Sequence, residues 1–145
     1  MRYFHGVNLG FACDTERGLM VPVINGADRM SLKEISEAVK SLAKAARAGT
    51  INPDLLRGGS FTVSNLGALG IESFTPIINP PQTGILGVDA IVQRVRETAG
   101  KIEVYPAMGL SLSYDHRAVD GMPASKFLAD LKSNLENFLL LLAKG

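Results

Sequence analysis

A histidine with carboxylates on both sides stands near the end of this chain, in the run Asp115-His116-Arg117-Ala118-Val119-Asp120-Gly121. Imidazole can take a proton near neutral pH, and a base of that kind needs a neighbour that fixes its tautomer and orientation. Asp115 and Asp120 offer such a neighbour, and Arg117 adds a cation within the same short stretch. On the residues alone two readings stand. His116 is a general base held at a corner, or it is a structural histidine in a turn that an Arg117–Asp120 ion pair merely buttresses.

The other residues with chemical potential are weaker. Ser64 ends an alternating run before a glycine-rich loop, where a serine most often only caps a turn. That loop, Asn65-Leu66-Gly67-Ala68-Leu69-Gly70, has neither the lysine of a phosphate-binding loop nor dinucleotide spacing, so its glycines read as turn chemistry and close backbone approach. Cys13 is the lone cysteine, and no clustered histidines accompany it, so neither an internal disulfide nor a zinc set is expected. On the apolar face of a strand it reads as a small core residue. His5 belongs to no motif and reads as incidental.

The elements that must position these groups follow from periodicity. Val7, Leu9, Phe11 and Cys13 alternate with polar or small residues, which predicts a strand. A turn at 14–18 and a second strand from Leu19 to Ile24 follow, with Pro22 placing that strand at an edge or irregularity. Ser31 with Glu34 forms a capping box, and Gly49 follows Lys44 and Arg47 as a stop, so 31–48 is a helix with Leu32, Ile35, Val39, Leu42 and Ala46 as its buried stripe. A Pro53-initiated turn precedes a strand over 60–64.

After the loop at Asn79-Pro80-Pro81, a strand over 84–95 and a turn at 98–101 lead into a long return strand. Ile102, Val104, Met108, Leu110, Leu112 and Tyr114 share one face of it and Glu103, Tyr105, Ser111, Ser113 and Asp115 the other. His116 therefore arrives at the end of a long strand. Gly121 and Pro123 then start a helix through about Leu142, with Phe127, Leu131, Leu135, Phe138 and Leu142 inside. The expected fold class is α/β, with helices covering one face of a mixed or antiparallel sheet.

Bulk properties narrow the function classes. The 145 residues suit one domain, and 15 Lys and Arg against 14 Asp and Glu leave a formal charge of +1 with no block of one sign. Nucleic acid and membrane surfaces are thereby not expected partners. No stretch approaches the roughly 20 apolar residues of a membrane span, and a reducing, cytoplasm-like setting is the default for a single cysteine. The apolar run Phe138 to Leu142 is expected to be buried against the rest of the chain or another subunit.

Four runs together resemble one family: D-H-R-A-V-D-G at 115–121, S-F-T-V-S-N-L-G at 60–67, I-I-N-P-P-Q at 77–82 and V-N-L-G-F-A-C-D-T-E-R-G-L-M-V-P-V-I at 7–24. In order and spacing they are similar to the catalytic domain of dihydrolipoyl acyltransferases, the core components of 2-oxo acid dehydrogenase complexes. The resemblance implies a chloramphenicol acetyltransferase-like fold, a two-layer sandwich whose mixed sheet is covered by helices. It implies transfer of an acyl group, acetyl by likeness of S-N-L-G and I-N-P-P-Q to the pyruvate and acetoin types, between dihydrolipoamide and coenzyme A.

By the same resemblance His116 takes the thiol proton, Ser64 stabilises the tetrahedral oxyanion and Asp120 supports the site. Asp14, Ser64, Asn65 and the segment from Asp89 to Ile91 line the coenzyme A site, and no metal is implied. A homotrimer whose active site lies between neighbours, assembled into a larger core with other components of the complex, is the implied partner set. The setting is cytoplasmic, or the mitochondrial matrix in a eukaryote. The chain is expected to be an N-terminally truncated C-terminal portion, 1–145, of such a catalytic domain, without the lipoyl and peripheral-subunit-binding domains; the lipoyl group would ride on the absent domain. Two rival functions remain: a non-catalytic scaffold subunit, and antibiotic acetylation, in which the same base activates a hydroxyl.

Overall fold

The computed structural model describes residues 3–144. The main sheet has five strands in the order β4-β1-β5-β6-β7, with β1 Leu9–Phe11, β4 Val23–Ile24, β5 Phe61–Asn65, β6 Gly84–Thr98 and β7 Lys101–Tyr114. It is mixed: β1–β5 and β5–β6 are parallel, while β1–β4 and β6–β7 are antiparallel. The remaining strands, β2 Cys13–Thr15 and β3 Gly18–Met20, form a separate ribbon.

The expected strand from Val7 to Cys13 is thus divided between two sheets, and so is its return strand. Pro22 has no N–H to give to a ladder, and its carbonyl accepts instead from Phe11 N–H at 3.0 Å. The chain leaves the main sheet after Phe11, makes the tight ribbon, and rejoins as β4, which is the edge strand that Pro22 foretold. The turn within the ribbon contracts to Glu16-Arg17, because Thr15 pairs with Gly18.

Helix α1, Leu32–Ala48, starts and stops as the sequence dictates. Ser31 accepts from Glu34 N–H and the Glu34 carboxylate accepts from Ser31 N–H, while Gly49 ends the helix in left-handed geometry. Ala46 is fully buried, whereas Leu32 is largely exposed and drops out of the stripe. Cys13 is buried, as a small core residue should be.

The second helix is shorter than its periodicity suggests. α2 covers Gly121–Glu136 and α3 Phe138–Lys144, divided at Asn137. The Asn137 amide donates to Ser133 O at 2.8 Å, and its own N–H bonds that same carbonyl at 3.1 Å, closing one helix before the next begins. Phe127 makes an edge contact with Phe61 of β5, centroids 5.8 Å apart, and so seats α2 on one face of the sheet. The expected burial of the run at 138–142 is not met within this chain: Leu139 is 82% exposed, and Leu140 and Leu142 are exposed as well.

The opposite face is covered by irregular chain. Cross-strand partners share a face, so the register Thr62–Ile85–Ser113 and Ser64–Gly87–Ser111 places these residues together. Phe74 and Pro76 lie over Gly87, and the buried Thr62 hydroxyl donates to Gln82 Oε1 at 2.6 Å. β6 and β7 continue beyond the sheet as a two-stranded arm, closed by Ala99 and Gly100 at positive φ of 51° and 76°, the geometry a two-residue hairpin turn requires. On that arm Ile102, which begins the apolar face of the return strand, is 78% exposed, and Val104 is exposed too.

Candidate active site

His116 sits in the turn between β7 and α2, fastened where Asp115 N–H donates to Thr83 O at 2.9 Å and the Ala118 and Val119 N–H groups return to Asp115 O. Its side chain is 69% exposed, tilted against the Tyr114 ring at a centroid distance of 5.6 Å. Nδ1 lies 3.9 Å from Asp120 Oδ1, on the residue that precedes the first turn of α2. At that distance the carboxylate is a neighbour of the ring without a hydrogen bond to it.

Arg117 does not pair with Asp120. It turns back onto Asp115, with Nη2 at 2.7 Å from Oδ2 and Nε at 2.9 Å from Oδ1, a two-pronged charged contact. The Arg117 side-chain hydrogen bonds, then its backbone N–H, hold the Asp115 carboxyl down to about 2, and the same contact pushes the guanidinium up. The physical reason is reach: Arg117 closes a short ring with Asp115 two residues back, and that leaves Asp120 for the histidine. Asp115 thereby acts as the buttress of the corner.

Ser64 is at the other end of the sheet. It lies in β5 opposite Gly87, three residues along β6 from Gly84, and Gly84 pairs with Tyr114 beside the histidine corner. That is about 10 Å of strand at 3.3 Å per residue, with His116 further out still. One chain does not bring Ser64 and His116 together.

The remaining candidates gather at the Ser64 end. Asn65 follows it, its Oδ1 accepting from Gly67 N–H at 2.9 Å. Asp89 lies where β6 slips by one residue against β7, between the pairs Val88–Leu110 and Ile91–Met108. Its side chain is directed inward, whereas Ile91, just past the irregularity, is exposed. Asp14 is on the ribbon that departs the sheet beside Val63, since Ala12 N–H bonds Val63 O. His5 is exposed and far along the chain from these groups.

Close packing shapes this end, and at Gly67 it is the close backbone approach expected of the glycine-rich loop. A Cβ on Gly67 would come within 2.5 Å of the Asp89 carbonyl oxygen, and one on Gly109 within 2.5 Å of Asp89 Oδ2. Ser111 Oγ donates to Asp89 Oδ2 at 3.4 Å. Nothing in the strand pattern singled out Ser111; hydroxyls on the face opposite the apolar one were the available signal. Among the described residues no cluster of His, Cys, Asp or Glu could hold a metal ion, and no helix is long and apolar enough to cross a membrane.

Comparison with known proteins bears on this arrangement. The family model for the 2-oxoacid dehydrogenases acyltransferase catalytic domain matches residues 1–143. The chain is 47% identical over 135 residues to the succinyltransferase component of the 2-oxoglutarate dehydrogenase complex of Rickettsia typhi, covering 93% of this chain and 34% of that protein. It is 43% identical over 141 residues to the acetyltransferase component of the pyruvate dehydrogenase complex of Staphylococcus aureus, covering 97% and 33%. The chain therefore spans about a third of the length of these relatives.

Among solved structures, the dihydrolipoamide acetyltransferase of Azotobacter vinelandii, studied for the role of a serine, a histidine and an asparagine in its catalytic mechanism, superposes with a TM-score of 0.92 at 37% identity. The match covers 96% of this chain and 57% of that one. The cubic core of a pyruvate dehydrogenase multienzyme complex matches to the same degree, with the same coverage.

Proposed function

Because the chain belongs to the 2-oxoacid dehydrogenase acyltransferase catalytic-domain family, we propose that it transfers an acetyl group between dihydrolipoamide and coenzyme A at a site shared by two subunits. His116 Nε2 takes the proton of the attacking thiol. The thiolate adds to the thioester carbonyl, and the Ser64 hydroxyl donates to the tetrahedral oxyanion, a contact typically worth a few kcal/mol. Collapse breaks the old carbon–sulfur bond, and the proton held on His116 passes to the departing sulfur. Asp120 holds the ring in place throughout. Asp14, Ser64, Asn65, Asp89 and Ile91, at one end of the sheet, are the proposed coenzyme A contacts, and the lipoyl group is the proposed second thiol carrier.

One observation carries the reading. The serine and histidine named for the Azotobacter enzyme are as far apart in its chain as Ser64 and His116 are here, and its asparagine falls where Asp120 falls, four residues on. In this chain Ser64 and His116 lie apart along the sheet, which supports a neighbouring copy supplying one of them. A homotrimer within a larger core, of the kind known as a cubic core for a relative, provides such neighbours, in a cytoplasmic setting. Acetyl rather than succinyl rests on the likeness of 64–67 and 78–82 to the pyruvate and acetoin types, although both classes occur among the relatives.

The test is turnover of acetyl-coenzyme A with dihydrolipoamide. His116→Ala should cost about a hundredfold or more in kcat with assembly retained, and a loss below about tenfold sinks the base role. Asp120→Asn should lose much less, since a relative uses asparagine there. Co-assembled His116→Ala and Ser64→Ala chains should regain activity that neither has alone; a dead mixture rules out a shared site.

A further inference from the structure

Gln82 is 9% exposed, and the two ends of its amide have different surroundings. Oε1 accepts from the hydroxyl of the fully buried Thr62 at 2.6 Å. That contact fixes which end of the amide is the oxygen and turns Nε2 the other way. Nε2 is directed to Gly59, where a Cβ would stand 2.6 Å from it. Gly59 and Gln82 both line a cavity of about 350 Å³, and Nε2 makes no hydrogen bond there among the described residues.

The rest of the cavity is of one chemical kind. Val23, Leu56, Pro80 and Pro81 make apolar walls, and the exposed Arg57 stands at the rim. Arg57 has no ion pair among the described residues, and none of the residues around the cavity is acidic. Asn8, also on the wall, has its amide committed: Nδ2 donates to Gly58 O and Oδ1 accepts from Gly26 N–H, each at 3.1 Å. What faces a ligand is a buried N–H donor and an unpaired guanidinium beside apolar surface.

We infer that this cavity is a binding site for a small monocarboxylate with an apolar body. A guanidinium takes a carboxylate through two parallel N–H···O contacts, and the Gln82 Nε2 donates to one of the same oxygens. A donor buried without an acceptor is destabilising, so this end of the cavity selects an oxygen over a carbon. The apolar walls cover the body of the ligand. A phosphate dianion matches less well, because one guanidinium leaves half its charge unmet and the walls give it nothing. None of the residues assigned to acyl transfer or to coenzyme A lines the cavity, so the site is separate from that reaction and does not rest on it.

The probe is 3-phenylpropanoate, titrated calorimetrically into the full chain in its native assembly, with 3-phenylpropanamide and inorganic phosphate as comparisons. The carboxylate should bind with a Kd below about 1 mM, the scale set by its size. The amide and phosphate should each bind about tenfold more weakly or worse, the scale of one lost charged hydrogen bond. Arg57→Gln, at an exposed position, should lose a similar factor with folding intact. Gln82→Glu keeps an acceptor for Thr62 but replaces the donor with a second carboxylate oxygen, and it should abolish binding; if it does not fold, Arg57→Gln decides. Saturating acetyl-coenzyme A should leave the affinity for the probe unchanged. The inference is overturned if the carboxylate does not bind, if the amide or phosphate binds as tightly, or if Arg57→Gln keeps the parent's affinity. Displacement by acetyl-coenzyme A overturns it too, since the carboxylate would then sit in the proposed coenzyme A site.

Discussion

β6 passes through two environments. From Gly84 to Ala90 it is buried apart from the half-buried Val88, paired with both β5 and β7 over Ile85 to Val88. From Ile91 to Thr98 only β7 accompanies it, and Ile91 and Val95 are exposed despite being apolar. β7 repeats the contrast, with Leu110 and Leu112 half-buried near α2 while Ile102 and Val104 face outward at the tip. Apolar residues recur along one face of β7 from the inner half to the tip, interrupted at Pro106, so apolar periodicity marks surfaces meant to be covered without saying by what. In the inner half the chain covers them itself. On the arm, as on α3, the described residues leave them exposed, and exposed apolar surface of this kind is typical of interfaces.

Substitutions at the two ends of this contrast should behave oppositely. Gly67→Ala, in the inner region, drives a Cβ into the Asp89 carbonyl and should cost about 2 to 3 kcal/mol of stability; an unshifted denaturant midpoint would show that the packing there is looser than described. Thr62→Val removes the donor to Gln82 Oε1 in a fully buried place, and a loss of about 1 to 3 kcal/mol is expected by the same measurement.

On the arm, Ile102→Ser and Val104→Ser should move stability by no more than about 0.5 kcal/mol, yet sedimentation should show smaller species. If instead these changes unfold the chain and leave its size distribution alone, the two regions are not different in kind. Leu139→Ser on α3 is expected to follow the arm. The tip has its own local order, from Arg96 Nε to Glu103 Oε2 at 3.2 Å and Arg96 stacked over Tyr105, so it can keep its shape without a partner.

The smallest effect concerns the histidine corner. The Asp115 pKa is depressed from 3.8 to about 2 by Arg117, so its stabilising contribution is present above pH 4 and lost as pH falls through 2. Asp115→Asn should therefore melt slightly below the parent at pH 7, with the gap closing between pH 4 and pH 2. A gap that persists at pH 2 would assign the effect to packing rather than charge.

Local rules were legible because they depend on neighbours in sequence. The capping box at Ser31 and Glu34, the stop at Gly49, the turn at Ala99 and Gly100, the edge position implied by Pro22 and the family motifs all act within a few residues. Three things were not legible. The pairing of Arg117 with Asp115 rather than Asp120 depended on how the corner closes. The break at Asn137 depended on a side-chain amide taking a carbonyl that periodicity treats as spoken for.

The third concerns distance. The sequence by itself determined the family, the mixed α/β fold and the presence of His116, Ser64 and Asp120, because motif order and alternation are one-dimensional properties. Only the tertiary structure decided that Ser64 and His116 stand at opposite ends of one sheet, that Asp89 is buried with an oxygen unpaired, and that the arm and α3 are bare. Strand register sets which residues become neighbours, and register is fixed by packing across the sheet, between segments far apart in the chain.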